Sequence, residues 1–262
     1  MRKVNKIIRL GLMLGAIAFK GLACFGIEPI PAPFDDGRFL YEGDPNSSRG
    51  VKICGHLMPQ GMEIDALILP ESAINENDKA DEYGGRYTVT GITRDALKGL
   101  KIKKLTASGY YTEFYCPVVT ELQELLVSGS ALGPECFRNT PKLSNVKISA
   151  YVLSRYAFRN AQIDQLALNN ALKYVGFGVF DNCRIGKLIV TSENPPTASP
   201  ESFGIYDPSI TNAAEAAKTS QLLRDCTLIV PEGCAKKYRK APGWELFSNI
   251  MESSERFNFY EL

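Results

Sequence analysis

Histidine is almost absent: the 262 residues hold one, His56. A histidine-based zinc site, a Ser–His–Asp triad or a Cys–His dyad would have to use that single imidazole, which limits the histidine-dependent chemistry open to the chain. Net charge is lacking too. Lys and Arg number 30 and Asp and Glu 29, for a net charge of +1, so nothing pulls the chain strongly toward nucleic acid or an anionic lipid surface. No low-complexity tract is present. The apolar run Leu10–Phe19 is ten residues long, about half of what a membrane-spanning helix needs. Cysteine occurs seven times, but never at the C-x-x-C spacing of a zinc pattern.

The composition itself, 45% apolar and 23% charged, is that of an ordinary globular protein with material for a core. The basic stretch Met1–Arg9, the short run Leu10–Phe19 and the small residues Gly21 and Ala23 together predict a bacterial export signal over residues 1–23, cut before Cys24. Cys24 is then a candidate lipid acceptor, although Gly21 stands where a lipobox prefers leucine and Lys20 interrupts the apolar run. A lipidated Cys24 and simple secretion both stay open. Either way the expected location is the cell surface, the outer membrane as a lipoprotein, or the medium, and the lipid would be the sole link to a membrane. Cys54, Cys116, Cys136, Cys183, Cys226 and Cys234 could pair in an exported chain. A chain of this length needs no disulfide frame, and buried free thiols are expected for most of them.

The main signal is a repeat. An apolar triplet spaced φ-x-x-φ-x-φ occurs at Ile102-Leu105-Ala107, Leu122-Leu125-Val127, Leu143-Val146-Ile148, Ile163-Leu166-Leu168 and Ile185-Leu188-Val190. Successive starts are 20, 21, 20 and 22 residues apart. A second landmark precedes the triplet by five or six residues, at Leu97, Phe137, Phe158 and Phe180, and Ile92, Leu132, Leu153 and Val175 precede that one by five. The unit over 108–121 breaks the rule: Pro117 stands in the aromatic slot, with Tyr110, Tyr111, Phe114 and Tyr115 displaced from it. The terminal φ-x-φ has period 2 and predicts a short strand. One strand every 20–22 residues cannot bury its apolar face alone, but stacked parallel copies bury a continuous core.

Fainter units flank the clean block over 87–191. Ile64-Leu67-Leu69 lies 38 residues before Ile102, and Asp225-Leu228-Val230 lies 40 after Ile185, so each gap conceals a degenerate or inserted unit. Phe203 falls 23 residues after Phe180 and is the next ladder aromatic. An insertion is expected over about 204–222, ending in good helix formers with Asn212 as a candidate cap.

"VTGITRDALKGLKIKKL", "LSRYAFRNAQIDQLAL" and "VGFGVFDNCRIGKLIV", together with the closing "SENPPTASPESF" and "LIVPEGCAKKYRKAPGWELFSNIME", resemble the BspA-type leucine-rich repeat proteins of anaerobic oral and gut bacteria. The resemblance covers about residues 60–252. Leu97 departs from the family's Phe, and Cys136 and Val179 from its Ala. It implies an α/β repeat solenoid: a right-handed leucine-rich-repeat coil of about 6–8 repeats, with a parallel β-sheet on one face and a helical C-terminal cap. It also implies surface binding or adhesion work and no enzymatic activity or cofactor. The expected organisation is a signal peptide over 1–23, an N-terminal segment over 24–58, the solenoid over 59–231, and a cap and tail over 232–262.

In a φ-x-φ strand the intervening side chains point away from the core. One such column reads Lys104, Glu124, Asn145, Gln165, Lys187. The next reads Thr106, Leu126, Lys147, Ala167, Ile189, and a third Ser108, Ser128, Ser149, Asn169, Thr191. The first two are the candidate partner-binding face, with an apolar centre at Leu126, Ala167 and Ile189; a plain solvated sheet face is the alternative. The ladder Leu97, Phe137, Phe158, Phe180, Phe203 is assigned to the core, and Tyr238, Trp244, Phe247 and Ile250 to a cap over the last repeat. The aromatic run 109–115 reads as interface or as core filler. Cys54 and His56, without a third ligand, make a weak metal pair. The run Lys236, Lys237, Arg239, Lys240 reads as a solvated helix face. The expected partner is an unidentified protein, host or bacterial. An architectural role in an envelope assembly and a glycan-binding module are the alternatives.

Asp181-Asn182-Cys183 could be mistaken for a reactive site. The same slots hold Arg138-Asn139-Thr140 and Arg159-Asn160-Ala161. Asn recurs where a tight turn needs its amide, and Cys alternates with Thr and Ala, so Cys183 is expected to be a packing residue.

Overall fold

The computed structural model describes residues 30–109, 113–116, 118–119, 121–129, 131–205 and 220–259. The expected signal peptide, Cys24, and Asn212 with most of the expected insertion lie outside the described residues.

Phe34–Asp35 (β1), Phe39–Gly43 (β2) and Gly50–His56 (β3) come first, then Glu63–Ile68 (β4), Ser72–Ile74 (β5) and Arg86–Ile92 (β6). Lys101–Ser108 (β7), Glu113–Phe114 (β8) and Glu124–Ser128 (β9) follow. Short and long strands then alternate: Ala131–Leu132 (β10), Leu143–Ser149 (β11), Val152–Leu153 (β12), Gln162–Leu168 (β13), Tyr174–Val175 (β14) and Arg184–Val190 (β15). Thr227–Pro231 (β16) and Asn249–Ser253 (β17) end the series. Among the described residues α-helix is confined to Gln221–Asp225 (α1) and Ala235–Tyr238 (α2).

The long strands form one eight-stranded sheet in the order β17-β16-β15-β13-β11-β9-β7-β4, parallel throughout. The short strands make a second parallel ladder, β10-β12-β14, extended by a bridge from Tyr174 to Thr197. Earlier in the chain β3, β6 and β8 pair in parallel, with β1, β2 and β5 added antiparallel at the edges. From β8 to β15 each coil therefore passes once through a short and once through a long strand. The described part of the N-terminal segment, residues 30–58, contributes β3 and the hairpin β1–β2, whose own Phe34, Phe39 and Tyr41 are buried.

The register follows the triplets. Their middle members align as Leu67, Leu105, Leu125, Val146, Leu166, Leu188, Leu228 and Ile250, and all are buried. β4 pairs directly with β7 and β15 with β16. Both long gaps are thus insertions within a coil, the first holding β5, and neither hides an extra strand of this sheet.

The ladder aromatics stack. Phe137 and Phe158 lie 4.8 Å apart at 9°, Phe158 and Phe180 5.6 Å at 11°, and Phe180 and Phe203 5.6 Å at 12°. Pro117 lies outside the described residues; the aromatic of that irregular coil is Phe114, on β8, fully buried and 5.7 Å from Phe137. The ladder therefore runs on through the irregular unit.

The turns are hydrogen-bonded from coil to coil. The N–H groups of Glu135, Phe137 and Asn139 donate to the carbonyls of Arg155, Ala157 and Arg159, and those of Tyr156, Phe158 and Asn160 to Phe177, Val179 and Asp181. Asn139, Asn160 and Asn182 have φ of 54°, 58° and 50°, the left-handed region that asparagine tolerates better than most residues. Their side chains form a second ladder: Asn160 Nδ2 donates to Asn139 Oδ1 and Asn182 Nδ2 to Asn160 Oδ1, both at 2.8 Å. Asn160→Ala loses both side-chain bonds and places a Cβ-bearing residue without local compensation at positive φ, so it should cost about 2–3 kcal/mol. Asn160→Gly loses only the bonds and should cost about 1 kcal/mol. Urea midpoints of the two variants check the order.

After β16 the chain forms α2, passes Gly243 and Trp244, and returns as β17. Tyr238 and Trp244 are fully buried, and Phe247 and Ile250 nearly so. Trp244 lies 5.2 Å from Phe203 and 5.5 Å from Tyr238, ring to ring. Its indole N–H donates to Pro196 O at 2.7 Å, and Tyr238 donates its hydroxyl to Ser192 O at 2.8 Å, so neither polar tip is left unsatisfied. Ile250 belongs to an eighth parallel strand rather than to a helix.

Candidate functional site

The outer face of the eight-stranded sheet assembles the residues singled out in the sequence. Lys104, Glu124, Asn145, Gln165 and Lys187 stand side by side, as do Thr106, Leu126, Lys147, Ala167 and Ile189. The register extends both columns beyond the sequence reading, by Ala66 and Ile68 at one end and by Thr227, Asn249, Ile229 and Met251 at the other. Parallel pairing without slippage brings these side chains together, because a one-residue shift would turn the apolar triplets outward.

The first column is a polar ladder. Lys104 pairs with Glu124 at 3.2 Å, Gln165 Nε2 donates to Asn145 Oδ1 at 3.4 Å, and Asn249 Nδ2 donates to Thr227 Oγ1 at 2.8 Å. The second column is mixed. Leu126, Ala167 and Ile189 are 3%, 0% and 2% exposed, so the apolar centre offers little surface of its own. Open apolar surface in this column lies at its ends, on Ile68 and Met251, 67% and 54% exposed. In the third column Asn169 Nδ2 donates to Ser149 Oγ at 2.6 Å.

Toward the C-terminal end this face carries a groove of about 640 Å³. Ile189, Thr191 and Asn169 line it from the sheet, and Phe257 and Phe259 from the tail. The tail, which matches nothing in sequence, thus shares a groove with Ile189. No periodicity over 253–259 signals this placement.

The other candidates scatter. His56 Nε2 lies 3.0 Å from Lys98 O while Cys54 Sγ faces Leu40 O, so the two side chains address different partners. Among the described residues no three His, Cys, Asp or Glu side chains converge as a metal would require. Phe114 of the 109–115 run is core and Tyr115 is partly exposed; Tyr110 and Tyr111 lie outside the described residues. Of the basic run, Lys237 reaches Asn194 Oδ1 at 3.0 Å and Arg239 caps Ile250 O at 3.1 Å, while Lys236 and Lys240 are exposed.

The six described cysteines are free, all buried except Cys54, which is half-buried. Burial pushes the thiols of Cys116, Cys136 and Cys226 up to about 12 and that of Cys54 up to about 11, and raises Cys183 as well, which donates to Phe158 O at 2.7 Å. The thiolate is the reactive form. Iodoacetamide at pH 8 should therefore leave Cys183 unlabelled in the native protein and modify it at the rate of unfolding. Fast native labelling, read by mass spectrometry, would overturn the packing role. Because these five thiols are raised in the native protein above the unfolded value near 9, stability should also fall as pH rises through 9.

Residues 123–207 match the model of the BspA type leucine rich repeat region, in six copies. No curated protein matches the chain. Among solved structures the chain is similar to the crystal structure of the pneumococcal vaccine antigen PcpA, at 15% identity and a TM-score of 0.36. That match covers 62% of this chain and 50% of that one, so the likeness spans half of the antigen and carries nothing about its ligands.

Proposed function

With residues 123–207 a BspA-type leucine-rich repeat region, we propose that the chain is an exported, non-enzymatic protein-binding module that works through the outer face of its parallel sheet. The observation that carries this reading is the set of side-chain columns held in one register across eight strands. A partner meets them as a preformed surface and pays little ordering entropy on binding. In the same reading the signal over 1–23 directs export, Cys24 is the attachment point if the chain is lipidated, the coil winds right-handed as parallel crossovers do, and residues 232–253 serve as its C-terminal cap.

Lys104, Lys147 and Lys187 are the cations of the two columns. Reversing all three to Glu should weaken binding to a partner captured from host or bacterial surface extracts by about tenfold or more, chiefly through the association rate at low salt. Surface plasmon resonance against the purified partner measures it, and an unchanged Kd and on-rate would remove this face from the interface. An accessory subunit of an envelope assembly would instead co-purify with membrane partners and resist added protease.

A further inference from the structure

On the opposite side of the coils, around the short strands β12 and β14, lies a second surface of different chemistry. Tyr151, Tyr174 and Phe177 are 56%, 48% and 45% exposed. The backbones of Tyr151 and Tyr174 are joined by a hydrogen bond. Tyr156 and Phe177 meet edge to face at 5.7 Å. The guanidinium groups of Arg155 and Arg159 lie over the Tyr156 ring, at 5.5 and 5.0 Å. Clustered aromatics flanked by arginine have the composition of interface hot spots, and exposed aromatic surface gathered on two adjacent coils is more than isolated surface residues would give.

The backbone adds an independent observation. Tyr156 has φ 59°, a region that is unfavourable for a bulky residue. Its N–H donates to Phe177 O, while Glu135 and Gly178 occupy the same slot in the flanking coils at φ 60° and 61°. Glycine satisfies that slot without strain in the next coil, so folding alone does not require a tyrosine. Strain held where the fold has a cheaper solution is a mark of function.

The charges of the patch define what it would receive. Arg138 is paired with Glu135 at 2.9 Å and Arg159 with Asp181 at 3.0 Å. Arg155 and Lys173 have no carboxylate partner among the described residues. Arg155 over the Tyr156 ring and the exposed Lys173, next to Tyr174 in the chain and bonded through its backbone N–H to Tyr151 O, are thus uncompensated among the described residues and fit a segment that carries carboxylates and apolar side chains together. With Arg138 and Arg159 already satisfied by Glu135 and Asp181, the two remaining cations are few for a flat anionic membrane or a sulfated glycan, each of which presents many charges at once. We propose that this face docks an acidic, aromatic-bearing peptide segment of a partner protein, at a site separate from the outer face of the long-strand sheet.

The test is fluorescence anisotropy on the full chain with a short fluorescein-labelled peptide alternating Glu and Phe, and a control peptide with Gln for Glu. Saturable binding of the acidic peptide is expected. The double variant Arg155→Glu, Lys173→Glu should weaken it about tenfold or more, and Tyr156→Gly should abolish it while the Tm stays within a few degrees of the parent. Lys104→Glu, Lys147→Glu, Lys187→Glu should leave it unchanged, which separates this site from the sheet-face reading. Equal binding of the Gln peptide, or an unchanged Kd in the double variant, overturns the proposal. So does absence of binding at about 1 mM peptide, or binding only of heparin oligosaccharides or phosphatidylglycerol vesicles. Should Tyr156→Gly lose its fold, the exposed charge variant decides alone.

Discussion

Phe158→Ala is expected to destabilise the protein by about 3–5 kcal/mol, the range for deleting a fully buried phenylalanine. Phe158 has no exposed surface and lies between Phe137 and Phe180 with nearly parallel rings. Its removal forfeits its own burial and two ring contacts, each worth about 0.5–1.5 kcal/mol beyond area. Collapse cannot refill the gap cheaply, because the turn backbone on both sides is tied to its neighbours through Phe137 N–H to Ala157 O and Phe158 N–H to Val179 O. Phe158→Leu keeps part of the volume and should cost less than half as much. Phe114→Ala, which loses the contact to Phe137, should fall between them. Urea denaturation reads the series. A shifted midpoint at constant slope reports lost stability, whereas a reduced slope reports that the coils before and after Phe158 have begun to unfold separately, as stacked repeats can. A change below about 1 kcal/mol for Phe158→Ala would contradict the ladder as a source of cohesion.

How much of this was legible beforehand depends on whether the information is local. The triplet Ile163-Leu166-Leu168 announces its strand through period-2 apolar spacing, and a constant step to Ile185 places the next strand beside it. Columns such as Asn145–Gln165–Lys187 then follow without any knowledge of the turns. The Asn139, Asn160, Asn182 slot was legible for the same reason: a tight turn repeated in every coil asks for the same backbone conformation. Phe114 is not legible by offset, because in this coil the aromatic stands on β8 rather than in the turn, which breaks the sequence offset while keeping the contact with Phe137. The burial of Leu126, Ala167 and Ile189 was not legible at all. A strand pattern tells which face a side chain takes but not how its neighbours cover it, and for Ile189 the groove shared with Phe257 and Phe259 is built by a tail with no periodicity. The Tyr151–Tyr156–Tyr174–Phe177 surface has no local signature either, since it arises from positions that vary from coil to coil and are joined only by the stacking.

Trp244→Ala should cost about 3–5 kcal/mol, and its main value is in deciding what residues 232–253 do. Each internal coil is covered by the next, so the last needs a lid that does not itself expose a core. Trp244 lies against Phe203, the final ladder ring, and stacks on Phe247 at 6.1 Å. Gly243 makes that approach feasible. It has φ 80°, and a Cβ there would sit 2.8 Å from both Phe203 Cε2 and Ser199 O, so Gly243→Ala must push the indole segment off the ladder or strain the backbone. Trp244→Phe keeps the ring but leaves the buried Pro196 carbonyl without its donor, at about 1–3 kcal/mol. Ala at 244 should therefore be the most damaging of the three, with Phe the mildest. Deleting residues 232–262 goes further, since it uncovers Phe203, Leu228 and Val230 at once, and that chain should aggregate or lose its sharp melt. Light scattering and a thermal scan on the deletion give the answer: a monodisperse protein with a cooperative transition near the parent Tm would mean that the repeats close their own end and that Trp244 fills space without serving as a cap.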